Sequence, residues 1–411
     1  MKGVRLKGFF ENFLNKEFLF SNNQVLQSNY SPDSIPHRDK EIEQIANILG
    51  SALLYQKPSN LFCYGKTGTG KTLTIKSVTS DLLATAKEKG INLEILYTNC
   101  KLKNSADTEY RLIAELIRCL GGEVPKTGLP TQEVYRIFTH LIDNKKQLVI
   151  LILDEIDQLV AKTGDEILYT LTRMNSELKN AQISLIGISN NLVFTDNLDP
   201  RVKSSLSEEE INFHPYNALQ LQDILNQRAK EAFKQDVIDM GVIEKCAAYA
   251  AREHGDARRA LELMRVAGEV AERNDEKKLM IKHIDVAEDK IEKDRVLDII
   301  STQPKQHQAI LYSIMKINEE TEEIKNNYGD SLFTGDIYEL YKKFCTEIRL
   351  RPLTQRRVSD IISELDMLGI INGKVVSNGR YGRTRKITLA IQNTTKSKAK
   401  EVLEKSLGFS K

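Results

Sequence analysis

The sequence predicts an α/β chain in three parts: a parallel-sheet domain, an all-helical segment after it, and a winged-helix domain towards the carboxyl end. Three observations carry this. Residues 61–64 are a short apolar run, residues 65–72 read GKTGTGKT, and helical spacing resumes over 73–83, so strand, glycine-rich turn and helix follow in order. Residues 148–153 are a second unbroken apolar run that ends at Asp154, which is how a strand buried on both faces reads. Residues 355–368 alternate at helical spacing and lead into a hairpin pattern over 370–389 whose tip is rich in Gly and Arg.

The turn carries the chemistry. Gly65, Gly68 and Gly70 let backbone N–H groups converge on a polyphosphate, with Lys66, Thr67 and Thr69 supplying the rest of the loop. Lys71 has the reach for the β- and γ-phosphates, and Thr72 the hydroxyl for Mg2+. The helix that starts here adds its positive dipole end. Asp154 then stands at the carboxyl end of a buried strand, where open α/β sheets place ligands, and is expected to hold Mg2+ through water. Glu155 beside it is expected to orient and deprotonate a water attacking the γ-phosphate. ATP or ADP with Mg2+ is the cofactor set these residue types fit.

The remaining elements follow the chain. Residues 1–29 have no sustained periodicity and read as a partly ordered arm, with Phe9, Phe10 and Phe13 as its docking residues. Asp39 is a plausible N-cap for a helix whose stripe is Ile42, Ile45, Ile48 and Leu49. Strand-like 94–98, helical 108–120 and 131–145, and strand-like 148–153 alternate as in a parallel sheet, with 121–130, rich in Gly and Pro, as a projecting loop. The strand over 182–188 ends in Ser189, Asn190 and Asn191; the Asn190 amide suits an attacking water or a γ-phosphate, and the same triplet is also a good turn. Residues 198–206 place Arg201 and Lys203 on a surface, either solvated or turned to a neighbouring subunit's phosphate site. Residues 210–213 close the sheet. From 218 to about 288 the pattern is helical only, and a helix there carries Arg258 and Arg259 in its first turn, where the dipole disfavours cations. An anion near Arg258 resolves that misfit; so does an ion pair to Glu253 or Glu262.

In the C-terminal part Thr354 caps a helix with Val358, Ile361, Ile362 and Leu365 on one face and Gln355, Arg356, Ser359 and Ser363 turned mostly outward, Arg357 standing near the border. A helix laid out this way docks in a major groove with its N-terminal residues towards the bases, and Arg380 or Arg383 of the hairpin suits a minor groove. Arg385 belongs to the same basic cluster, which the net charge of +2 for the whole chain conceals. A protein-binding winged helix with a merely solvated basic hairpin is the alternative.

Composition sets the bounds. A chain of 411 residues that is 41% hydrophobic and 28% charged has material for two or three folded domains. Its apolar runs fall short of the roughly 18 residues a membrane span requires, and the first twenty residues lack a signal-peptide core. Five cysteines, far apart and without a C-x-x-C pair, argue against a disulfide framework and against a zinc site, so a reducing cytoplasm fits best.

These motifs together resemble a known family. GKTGTGKT at 65–72, Asp154 with Glu155, Asn190, Arg201 and the GDAR run at 255–258 match in order the Walker A, Walker B, sensor 1, arginine-finger and sensor 2 motifs of AAA+ ATPases. More narrowly, IPHR at 35–38, VPKTGL at 124–129, GISN at 187–190 and DPRVKSSL at 199–206 resemble the archaeal replication initiators related to the origin recognition complex and the cell-division-cycle helicase loader. The resemblance spans roughly 31–389. It implies an N-terminal arm over 1–30, an AAA+ nucleotide-binding base over 31–215, a helical lid over 216–292, a winged helix over 293–391 and a polar tail over 392–411. It further implies that Pro36, His37 and Arg38 border the adenine, that Arg258 is sensor 2, and that Lys126, Thr127, Gly128 and Leu129 belong to an insertion that touches DNA. The expected protein is a weak ATPase acting as a switch on double-stranded origin DNA in the nucleoid, with a paralogous initiator and the replicative helicase as partners and no membrane. An AAA+ motor of the branch-migration type and an ATP-gated transcriptional regulator are the rival readings.

Overall fold

The computed structural model describes residues 18–32, 34–101, 108–125, 128–206, 208–323, 332–377, 383–391 and 393–409. The chain divides into two compact units, Met1–Ile284 and Asp285–Lys411.

In the first unit five strands, β1 (Asn60–Gly65), β2 (Leu93–Asn99), β3 (Gln147–Asp154), β4 (Ala181–Ser189) and β5 (Glu208–Phe213), form one parallel sheet in the order β2-β3-β4-β1-β5. Each central strand feeds two cores, because successive side chains leave opposite faces. Phe62 and Tyr64 of β1 join Val149, Leu151 and Leu153 of β3 on one face, while Leu61 and Cys63 join Leu148, Ile150 and Ile152 on the other. That explains the unbroken apolar runs. The register pairs Tyr64 with Ser189 and Asp154 with Ile188, so the carboxyl ends of β1, β3 and β4 share one edge.

Several boundaries moved for identifiable reasons. The helix Asp39–Gly50 begins one residue ahead of expectation: Arg38, not Asp39, is the N-cap residue, and its side chain makes no capping bond. The helix Thr131–Ile142 stops short of residue 145 because Asp143 turns back to accept the amides of Lys179, Asn180 and Ala181.

The described part of the arm, from residue 18, docks on the first unit. The amides of Leu19 and Phe20 donate to Glu272 Oε1 at 2.7 and 3.2 Å, and Phe20 stacks on Phe233 with ring centroids 4.5 Å apart. Asn22 then caps a short 3-10 turn, Asn23–Leu26, which buries Val25 and Leu26. Its anchors are lid residues. Phe9, Phe10 and Phe13 lie outside the described residues. The lid consists of helices Ala218–Ala232, opened by an Asn217/Gln220 capping box, Val242–Arg252 and Ala257–Arg273.

In the second unit helices Lys305–Glu323, Thr334–Glu347 and Gln355–Met367 pack with a sheet of order β6-β8-β7, where β6 is Leu332–Phe333, β7 Ile371–Ser377 and β8 Arg383–Leu389. The segment expected as a polar tail is instead a helix, Asn393–Leu407. Ala399, Leu403 and Leu407 are buried in the winged-helix core, and Phe409 stacks on Tyr312 at 4.9 Å. Tyr312 and Gln308 tie the helix down by bonds with Glu404 and Ser406.

Candidate functional site

A cavity of about 500 Å3 opens where the sheet's carboxyl edge, the lid and residues 27–32 and 34–36 meet. Residues 67–72 line one side, Asp154, Glu155 and Asn190 the sheet edge, and Ala257, Arg258 and Leu261 the lid. Gly65 and Lys66 stand behind the loop; both carbonyls accept from Lys71 Nζ, each at 2.7 Å. The third proton of that ammonium goes to Asn190 Oδ1 at 2.9 Å. Lys71 is therefore buried against neutral acceptors, and burial pushes its ammonium down to about 8. The positive charge of Arg258 acts in the same direction and Asp154 opposes it.

Asp154 is held by three donors. Thr72 Oγ1 and Tyr97 OH reach its Oδ2 at 2.9 and 2.8 Å, and the Glu155 amide reaches its Oδ1 at 2.9 Å. Burial and the Asp154 charge push the Tyr97 phenol well above its ordinary value, so Tyr97 serves as a donor throughout. Thr72 and Asp154 are hard oxygen donors side by side. Two such protein ligands, completed by phosphate oxygens and water, are the set that Mg2+ takes. Glu155 adopts a left-handed backbone, φ 55°, at the point where β3 gives way to the helix Ile156–Thr163, and Lys101 Nζ lies 3.5 Å from its carboxylate. A non-glycine residue in that region is held by its surroundings at some cost, and such residues cluster at ligand sites and switch regions.

The lid touches the loop directly. Asp256 caps the helix Ala257–Arg273 by accepting the amides of Arg258 and Arg259, while the Ala257 amide donates to the Gly68 carbonyl at 3.2 Å. Gly68, at φ +70°, lies so close to Asp256 that a Cβ there would overlap the carboxylate at 1.6 Å. The two arginines differ in their partners. Arg259 pairs with Glu253 at 3.0 Å, and Arg258, exposed, faces the cavity with no side-chain partner among the described residues.

Of the residues expected beside the adenine, Pro36 lines the cavity. His37 bonds Asp223 of the lid at 3.0 Å, and Arg38 lies beneath the loop, donating to the Thr69 and His214 carbonyls and stacking on Tyr216. The Thr69 hydroxyl closes the loop on the Lys66 carbonyl. Arg201 is outside the cavity, 84% exposed and gripped in a fork by its neighbour Asp199. Tyr30, Tyr97, Lys101 and Arg228 are cavity residues that sequence reasoning missed. For Arg228 a signal existed: it falls on the buried stripe of its helix with Leu221, Ile224 and Leu225.

The second unit presents the other candidate surface. The helix Gln355–Met367 is capped by Thr354 and exposes Gln355 and Arg356 at its start. Arg357 is exposed but pairs with Glu364 at 3.1 Å, and Glu364 also bonds His307 at 2.7 Å. Ser359 is half-buried, and Arg385 Nη1 donates to Ser363 at 2.6 Å, bracing β8 against the helix. Arg380 and the Arg383 side chain lie outside the described residues. So do Lys126 and Thr127 in the first unit, where Gly128 is exposed at φ +109° and Leu129 packs against the core.

Comparison with known proteins agrees with this division. Residues 55–193 match the model of the AAA domain, 222–289 that of the Cdc6 AAA+ ATPase-type lid domain, and 298–399 that of the CDC6 C-terminal winged helix domain. The chain is 51% identical to the ORC1-type DNA replication protein of Thermococcus onnurineus, over 97% of its own length and 94% of that protein's. It is likewise 51% identical to that of Pyrococcus furiosus, over 97% and 93%. Among solved structures, that of the Aeropyrum pernix ORC1 protein in complex with DNA superposes with a TM-score of 0.81 at 43% identity, covering 95% of this chain and 98% of that one. With the AAA+ base, the Cdc6-type lid and the winged helix all in place, the chain belongs to the family of archaeal ORC1-type DNA replication proteins, the initiators among the AAA+ ATPases.

Proposed function

We propose that this initiator is an ATP-regulated switch: it binds ATP with Mg2+ in the cavity between base and lid, hydrolyses it slowly, and grips duplex origin DNA with its winged helix and the 124–130 segment. The observation that carries the reading is Arg258, a cation without a side-chain partner among the described residues, at the head of a lid helix that is itself bonded to the phosphate loop. A γ-phosphate pulling on Arg258 acts on the lid's angle through the Ala257 and Gly68 contact. Thr72 and Asp154 would hold Mg2+, which supplies charge neutralisation across the phosphates. Glu155 orients the attacking water once Lys101 yields it, Asn190 holds the γ-phosphate side of the site, and Lys71 takes up developing charge. Arg201, aimed outward by Asp199, completes the site of a neighbouring paralogue on the same DNA, and the replicative helicase is the partner to be recruited. Nucleoid association in the cytoplasm accords with this role. Among the described residues no helix is long and apolar enough to cross a membrane.

Lys71 makes nucleotide binding sensitive to pH. Its free-protein value of about 8 lies below the ordinary 10.5, and a bound polyphosphate favours the charged form and raises it. Affinity for ADP is therefore level below about pH 8 and declines as the pH rises beyond it, approaching tenfold per unit because binding must then take up a proton. Calorimetric titrations from pH 7 to 9.5 check this; Lys71→Arg, which stays charged, should abolish the decline.

The DNA half of the reading is tested by crosslinking the protein to chromatin and sequencing. A few sharp peaks at replication start sites are expected, and they should fade in Arg356→Ala, which removes about 1–3 kcal/mol of DNA binding and leaves ATP affinity intact. Peaks spread over promoters would instead favour a regulator.

A further inference from the structure

Arg228 is charged, 8% exposed, and in the wall of the cavity. Its guanidinium lies over the Tyr30 ring, 4.7 Å from the centroid, and its Nη1 has no hydrogen-bond partner among the described residues. Burial pulls its proton affinity below the ordinary value, the mark of a cation kept from water without full compensation. Tyr30 is in turn fixed to the same lid helix, its hydroxyl donating to Glu231 at 3.1 Å. A buried donor on a charged group costs free energy until it finds an acceptor, and the cavity is the place left for one.

The surroundings say which part of a ligand offers that acceptor. The phosphates are met by the loop, Lys71 and Arg258. Arg228 stands instead against the Tyr30 ring, one helical turn from Ile224, and the same cavity carries Ile35, Pro36 and Leu261, apolar surface suited to a flat base and its sugar. Purine ring nitrogens and ribose oxygens are neutral acceptors that a planar guanidinium can meet edge-on. We infer that Arg228 is the lid residue that binds the nucleoside half of the nucleotide, and that the arm, through Tyr30, holds it in position. The inference rests on the nucleotide reading above and extends it: nucleotide, lid and arm become one connected assembly, so the arm reports whether the site is filled.

Titrating wild-type protein, Arg228→Met and Arg228→Lys with ATP, ADP and tripolyphosphate tests this. Both variants should bind ATP and ADP about tenfold or more weakly, to the same degree for each, with tripolyphosphate affinity unchanged. Arg228→Lys keeps the charge and stem but loses the planar fork, so its loss separates nucleoside binding from a folding defect. Tyr30→Leu should reproduce part of the loss. A larger loss for ATP than for ADP, an equal loss for tripolyphosphate, or unaltered nucleotide affinity in both Arg228 variants overturns the assignment. Wild-type protein that binds none of the three ligands overturns the nucleotide reading as well.

Discussion

Glu155→Gln is expected to retain ATP and lose its hydrolysis, by about 10²–10⁴-fold, the range for removing a positioned general base. The substitution keeps the size and the left-handed backbone of the residue, so the cavity and the Asp154 network survive. Only the proton acceptor goes. Single-turnover hydrolysis alongside a nucleotide-binding titration separates the two effects, and turnover at the wild-type rate would assign the chemistry to another carboxylate. Asp157 is the one to examine next, since it accepts from Ser189 beside Asn190. The Lys101 contact sharpens the expectation: Lys101→Ala frees the Glu155 carboxylate and should not slow hydrolysis.

Leu403→Ala is expected to destabilise the winged helix by about 2–5 kcal/mol, the cost of emptying a fully buried leucine site. That is a large share of what a small domain commonly possesses. Thermal unfolding of the full chain should show the transition of the second unit falling while nucleotide binding in the first remains. An exposed, dispensable tail predicts no change at all, so the measurement discriminates sharply. DNA affinity should fall with the domain's stability although residue 403 is remote in sequence from Arg356.

The elements read most easily from sequence are those whose signal is local. The glycine spacing of 65–72 and the acidic end of an apolar run in Asp154 each point to a nucleotide site within ten residues, and the structure brings Lys71, Thr72, Asp154 and Asn190 to one edge. The C-terminal helix went unread because its buried positions, Thr395, Ala399, Leu403 and Leu407, are partly small or polar and sit among lysines; only their spacing of four betrays a face. The arm reads as partly ordered, and its described anchors carry no signal of their own for a different reason. Leu19, Val25 and Leu26 form a stretch too short for periodicity, and what they pack on lies in the lid, more than 200 residues away. Arg228 was hidden because a cation on a helix usually means solvent, and its burial depends on Tyr30, which the same local view could not place.

The bond from the Leu19 amide to Glu272 spans 253 positions of chain. The carboxylate that anchors the arm follows the sheet, the phosphate loop and most of the lid in the chain. Contacts so distant in sequence must meet a loop-closure cost before they reward it. The wall containing Tyr30 is therefore complete only where the lid is folded, since the Tyr30 hydroxyl is held by Glu231. Fastening residues 19–26 thus ties the integrity of the nucleotide cavity to that of the lid.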